Sequence, residues 1–158
     1  MNAEYRIRAA TPDDAAVIAH HRAAMFRDMN SVNGEEAEKL EVEVLSHLRL
    51  MLADWRYAGW LIEYNGNVVA GAGVLINQVL PRPGILEGGA GAHIVNVYTE
   101  PEHRRRGLAR ELLLAILDWC QQQRIAVITL AASEEGRPLY ESLGFVQMNH
   151  MIWKREER

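Results

Sequence analysis

The sequence predicts a mixed α/β fold: a central, mostly antiparallel sheet with helices on both faces, in the order β-α-α-β-β-β-α-β-α-β. Three observations predict it. Short alternating or β-branched runs are interleaved with long stretches of helical periodicity. Asn65-Gly66 joins two apolar runs and marks an antiparallel hairpin. The strand–helix–strand unit over residues 93–131 must return as a right-handed parallel crossover, so both pairings share one sheet.

Residues 4–9 (EYRIRA) alternate and read as a short strand. Thr11-Pro12-Asp13-Asp14 is a helix start: a capping hydroxyl, a proline where no N–H is needed, and acids at the positive helix end. That helix is expected to reach about Met29, with Ala15, Ile18, Met25 and Met29 on one face and Arg22 interrupting it. Residues 31–34 break the pattern. A second helix follows over 35–53, with Leu40, Val44, Leu48 and Met51 as its stripe. The period then changes, and 57–64 and 67–76 are strands around the Asn65-Gly66 turn. Residues 81–92 form a Gly/Pro-rich loop, and 93–99 (HIVNVYT) a strand ended by Pro101. The helix over 107–122 is apolar nearly all round and is expected to be buried on more than one side. A strand at 125–131, a short helix at 138–143 closed by Gly144, and a last strand at 145–154 complete the order.

At 158 residues and 17.9 kDa the chain can bury roughly two-thirds of its unfolded surface, leaving about 8,000 Å² exposed, which suits one domain over 1–158. A net charge of −4 argues against clinging to nucleic acid or an anionic membrane, so neither partner is expected. The single cysteine, Cys120, excludes a disulfide framework within the chain and a multi-cysteine zinc site, and favours a reducing compartment. No apolar leader is visible, and the longest uncharged stretch, 65–81, is too short and polar to span a bilayer. A cytoplasmic protein is expected.

The chemistry concentrates in IVNVYTEPEHRRRGLARELLLAI. A strand ends at Thr99, a short loop holds His103, Arg104, Arg105, Arg106 and Gly107, and a helix starts at once. The first N–H groups of that helix lack intrahelical partners, and its dipole adds partial positive charge. Gly107 lets backbone approach a ligand without a Cβ between. This is a cradle for a phosphate or pyrophosphate. No GxxxxGK[ST] and no GxGxxG after a strand occur, which disfavours a P-loop NTPase and a dinucleotide fold. The HRRR run lacks the interleaved aromatics of a nucleic-acid surface. No His, Asp or Glu cluster has metal-ligand spacing, so no metal is expected.

Arg104-Arg105-Arg106-Gly107-Leu108-Ala109 matches an R/Q-x-x-G-x-G/A signature, and 139–145 (LYESLGF) follows downstream. Together with NVYTEPEH before it, this makes residues 92–148 resemble the GNAT N-acetyltransferase superfamily; over 1–90 the likeness is one of element order. The resemblance implies acetyl-CoA as cosubstrate and an amine as acceptor. Acceptor-side elements would lie at about 10–56 and the coenzyme-binding core at 92–148. Backbone N–H groups of Arg105, Arg106, Gly107, Leu108, Ala109 and Arg110 would hold the pyrophosphate, with Arg104 opening the motif. Val97, Tyr98 and Thr99 would pair with the pantetheine arm where the fourth and fifth strands splay apart. An N–H near Val97 would polarise the thioester carbonyl.

Tyr140 matches the family's acid, which protonates the departing thiolate; a phenol of pKa about 10 suits a thiolate of about 8.5. Ser133 and Gly136 depart from the commoner Asn and Ala, although Ser133 still offers a hydroxyl to pantetheine or to ordered water. Pro138 delays the helix start. His93, eleven residues before Arg104, stands where some members carry a catalytic glutamate. In an unbroken strand it shares a face with Val95 and Val97, and a histidine pKa near 6.5 suits a general base. Glu100 is a second candidate, at the solvated strand end. His20 and His21 are expected to be exposed or half-buried, and His47 and His150 carry no signal.

Arg22 either snorkels or faces the acceptor pocket. Met25, Phe26 and Met29 read as core, Trp55, Trp60, Trp119 and Trp153 as core or edge packing, and Cys120 as an inert core thiol. The expectation is an acetyl-CoA-dependent N-acetyltransferase in which a primary amine attacks directly in a ternary complex. Its alternative is a non-catalytic acyl-CoA-binding sensor, against which Tyr140 argues. Glu35, Glu36, Glu38, Glu41 and Glu43 point toward a cationic acceptor, although such a run is ordinarily a solvated face. A homodimer through an exposed sheet edge is compatible with the resemblance, and no residue pattern decides it.

Overall fold

The computed structural model describes residues 4–156. Five strands, β1 (Tyr5–Ala9), β2 (Tyr57–Tyr64), β3 (Asn67–Val79), β4 (Gly89–Thr99) and β5 (Val127–Leu130), lie side by side in chain order. The first three junctions are antiparallel and β4–β5 is parallel. The helices are α1 (Ala15–Asp28), α2 (Gly34–Ala53), α3 (Leu108–Gln122) and α4 (Arg137–Ser142). The mixed, mostly antiparallel α/β architecture is thus the one the sequence predicts.

Local chemistry explains most boundaries. Asn65 and Gly66 have φ of 50° and 79°, the left-handed pair a two-residue hairpin needs. Asn33 accepts the Glu36 N–H at 2.9 Å while Glu36 accepts the Asn33 N–H at 2.8 Å, closing a capping box at the start of α2. Before α1, Asp14 reaches back to the Thr11 N–H at 2.8 Å and is clamped by Arg8 at 2.8 and 2.9 Å. Leu108, Leu112, Leu113, Ile116 and Cys120 of α3 pack on one sheet face with Ile62, Val74 and Ile94. Ala15, Ile18, Ala19, Leu48 and Leu52 of α1 and α2 cover the other, against Tyr57 and Leu61.

Several expectations are corrected. The loop after β3 shrinks to residues 80–88, because ladder pairing from Leu75–His93 out to Val79–Gly89 overrides its Gly-rich composition. α3 buries one stripe, and Leu114 faces outward. Met29 is exposed at the end of α1, as are Trp55 and Trp153; Trp60 and Trp119 do pack, edge to face at 5.4 Å. The last strand is absent. Residues 145–156 form no regular element, with Met148 67% and Trp153 85% exposed. The outer edge of β5 has no strand partner among the described residues.

Candidate active site

β4 and β5 pair only from Gly91–Val127 to Ile94–Leu130. β5 ends at Leu130, and β4 runs on to Thr99 with no strand beside it on that side, so Val95–Thr99 is an unpaired stretch of strand edge. Within this stretch β4 carries a bulge. Val95 pairs with Gly73 and Tyr98 with Gly71, three steps against two, and Asn96 takes φ 59°. The bulge flips the strand's faces. Val95 joins the α1/α2 side, Val97 the α3 side, and Tyr98 turns back to stack on His21 of α1 at 5.0 Å. His93 therefore shares a face with Val95 and not with Val97, correcting the parity expected of an unbroken strand.

The arginine loop follows directly on the end of this unpaired stretch. His103 is pinned beneath it, sharing a 2.9 Å hydrogen bond with Tyr5 and packing on Tyr64 at 5.1 Å. The Arg104 side chain is a strap: it donates to the Thr99 carbonyl at 2.8 Å and to Asp28 at 2.6 Å, and lies over the Tyr98 ring. Arg105 and Gly107 both adopt left-handed φ, 61° and 78°, which turns the chain sharply into α3. Gly107 caps the helix with open space where a Cβ would stand. The N–H groups of Leu108, Ala109 and Arg110 thus begin a helix behind an unobstructed glycine. Arg105 and Arg106 are exposed, adding full positive charge to the helix end.

α4 is tied to the same place, since Arg110 donates to Ser142 at 3.0 Å. Tyr140, like Val97, packs against the α3-side core, with its ring edge-on to Phe145. Burial raises its pKa, so the phenol is protonated at neutral pH and available as a donor. Ser133 spends an acceptor locally, taking the Gly136 N–H at 3.1 Å, and a Cβ at Gly136 would stand close, 3.1 Å from the Tyr140 ring and 3.2 Å from the Ser133 hydroxyl.

Across the sheet, His93 shares a 2.8 Å hydrogen bond with Thr129, its partner in the parallel ladder. Burial, and then the charge of His150, lowers its pKa and keeps it neutral at pH 7. Glu100 is not simply solvated: its carboxylate lies 3.4 Å from His21. His21 itself is 2% exposed, correcting the expectation of a half-exposed ring, and neither ring nitrogen has a hydrogen-bond partner. Burial pushes its pKa down to about 4, so it stays neutral. Cys120 is buried with its thiol pushed up to about 11, far from a reactive thiolate. A cavity of about 400 Å³ lies at the other end of the sheet, lined by Asn77, Pro81, Val127 and Thr129 among others, away from the arginine loop.

Asn96 went unmarked in the sequence. It is 5% exposed and ties the bulge to α1 and β2, accepting from Arg22 at 2.7 Å and donating to the Tyr57 hydroxyl at 3.1 Å. The signal was available: an asparagine inside HIVNVYT is a poor strand former that tolerates left-handed φ. Gly73 makes the cluster possible, because a Cβ there would collide with the Tyr57 ring and hydroxyl. Among the described residues no three His, Cys, Asp or Glu side chains gather as a metal site would require. Nor is any described helix long and apolar enough to cross a membrane.

Residues 21–145 match the acetyltransferase (GNAT) family. Glucosamine 6-phosphate N-acetyltransferase of Trypanosoma brucei brucei is 30% identical over 80 residues, 51% of this chain and 52% of that protein. The ribosomal protein bS18 alanine N-acetyltransferase of Escherichia coli K12 is 31% identical over 93 residues, 57% and 55% of the two chains. The chain spans about half the length of these curated relatives. A GCN5-related N-acetyltransferase from Ralstonia eutropha JMP134 superposes with a TM-score of 0.87 at 28% identity, over 96% of this chain and 98% of that one. A predicted acetyltransferase from Clostridium acetobutylicum, crystallised with acetyl-CoA, gives 0.84 at 24% identity over 96% of each chain, a likeness of fold.

Proposed function

Because the chain belongs to the GNAT acetyltransferase family, we propose that it transfers an acetyl group from acetyl-CoA to a primary amine by direct attack in a ternary complex. The observation that carries this is the stretch of β4 beyond Ile94 that no strand pairs on the β5 side, followed in the chain by the glycine-capped start of α3. Acetyl-CoA supplies an activated acyl carbonyl and a thiolate leaving group. The residues present fit it: an open Gly107, flanking Arg105 and Arg106, and a run of β4 edge with no strand beside it.

In this reading the N–H groups from Arg105 to Arg110 bind the pyrophosphate, and Arg104 holds the loop to β4 and α1. Val97, Tyr98 and Thr99 offer backbone groups to an extended ligand, and the N–H near Val97 stabilises negative charge on a carbonyl oxygen. Tyr140 holds the proton that the leaving thiolate takes. Ser133, with one acceptor already used, contributes its O–H. His93 on the α1/α2 side takes the proton from the amine, its ring oriented by Thr129. The acceptor enters over the elements at 10–56, opposite the coenzyme-binding core at 92–148, within one domain in the cytoplasm.

The test is thermal stability with millimolar CoA, followed by thiol release with a panel of amines. Stabilisation by about 2.7 kcal/mol at a hundredfold excess over Kd is expected, with release on at least one amine. CoA binding without release on any amine would favour the sensor reading. A homodimer belongs to the same proposal. The chain exposes 10962 Å², against about 8,000 Å² for a compact monomer of this mass. In this reading a second copy covers the open β5 edge and the exposed apolar side chains at 146–153. Sedimentation of the full chain should give a dimer, and a monomer at micromolar concentration would overturn it.

A further inference from the structure

We infer that the acceptor amine carries an anionic group, a carboxylate or a phosphate, and that Arg22 receives it; this rests on the acetyl-transfer reading above. Arg22 lies on α1 between buried Ala19 and Ala23, with its guanidinium half-buried over the Phe26 ring at 4.9 Å. One nitrogen donates to Asn96 at 2.7 Å. Its other nitrogens make no hydrogen bond and are not sealed off from solvent. Among the described residues no carboxylate is within ion-pair distance of it. Arg8, Arg56 and Arg104 each have one, in Asp14 and Glu63, Asp54, and Asp28.

A guanidinium cannot escape this position by losing its proton. Partly desolvating it with no counter-charge beside it is costly, and its remaining N–H donors are left without an acceptor from the chain. A partner from outside the chain resolves this. The planar fork of N–H donors fits a carboxylate or phosphate through two parallel bonds. The location suits an acceptor, because Asn96 precedes Val97 on the stretch of β4 that has lost β5. The acids of α2 do not compete as a cationic subsite: Glu35 pairs with Lys39, Glu36 caps the helix and Glu41 faces His20, while Glu38 and Glu43 are solvated.

The test uses two matched pairs, O-phosphoethanolamine against ethanolamine and β-alanine against its amide. The thermal stability of wild type, Arg22→Gln and Arg22→Lys is measured with each amine, with and without CoA, and acetyl transfer is followed by thiol release. Wild type should be stabilised by at least one anionic member and not by its neutral twin. Its kcat/KM should favour that member by on the order of 10- to 100-fold. Whichever pair responds tells phosphate from carboxylate. Arg22→Gln should lose the shift and most of the preference through KM, while Arg22→Lys keeps part, having charge without the fork. Equal treatment of both members of both pairs by wild type, or a preference retained in Arg22→Gln, overturns the inference. So does an Arg22→Gln protein of lower Tm that slows both members alike, the behaviour of a purely structural arginine. The arm without CoA keeps the two readings apart: absence of any CoA effect in wild type refutes acetyl transfer, while the anion shift still decides Arg22.

Discussion

Acidification should unfold this protein earlier than its carboxylates alone would dictate, and His21 is the reason. Its ring is buried with both nitrogens unpartnered, so charging it in the native state means placing an imidazolium in the core. Burial, and then the charge of His20, hold its native pKa at about 4, against about 6.5 in the unfolded chain. Glu100 at 3.4 Å opposes this, but its carboxylate is partly solvated and screened, and burial prevails. Between the two pKa values the unfolded chain binds a proton that the native chain does not. The His21 contribution is therefore complete above pH 6.5 and lost as pH falls toward 4. At about 1.36 kcal/mol per unit, moving from pH 7 to pH 5 costs roughly 2 kcal/mol. Asp14, whose pKa is lowered chiefly by its hydrogen bonds with Arg8, loses its share only below the ordinary carboxylate range, so the two windows separate. Urea unfolding of wild type and His21→Leu at both pH values measures the difference. Leu fills similar volume and cannot titrate, so its pH 5 loss should be smaller by that amount. Equal losses in the two proteins, or an NMR titration of His21 near 6.5, would refute the reasoning.

The remaining predictions concern the site. Gly107→Glu should abolish stabilisation by CoA, because it adds a carboxylate at the helix start as well as strain at φ 78°; Gly107→Ala, strained by about 1–2 kcal/mol but uncharged, should retain part of it in the same thermal assay. Tyr140→Phe should lower kcat by about 10²- to 10⁴-fold with little change in CoA affinity, and unchanged turnover would remove Tyr140 as the acid. For His93, burial lowers the pKa, so the base is neutral at pH 7 and the rate should fall only as pH drops below the usual histidine range. His93→Ala should erase that limb while the amine's own limb, near 10, moves with the acceptor; a surviving lower limb assigns the titration elsewhere, with Glu100 next.

How much of this was legible beforehand depends on the range of the interaction. Asn65-Gly66, Asn33 with Glu36, and the loop from His103 to Gly107 act within a few residues, and a turn or cap is set by chemistry that adjacent positions carry together. The arginine loop and the Tyr140 helix were readable for that reason, and the parallel crossover followed from the strand–helix–strand order. The site's inner geometry was not. Whether His93 and Val97 share a face turns on one extra residue in β4, which only the pairing with Gly71 and Gly73 reveals. His21 is buried because Tyr98 swings back after that bulge to cover it, and Arg22 meets Asn96 across 74 positions of sequence. Residues 145–154 read as a strand in the sequence but form no regular element, and the β5 edge stays unpaired, since a strand exists only where a partner docks on it. Local propensity decided the elements, while burial, facing and partnership came from contacts that exist only once distant segments are packed.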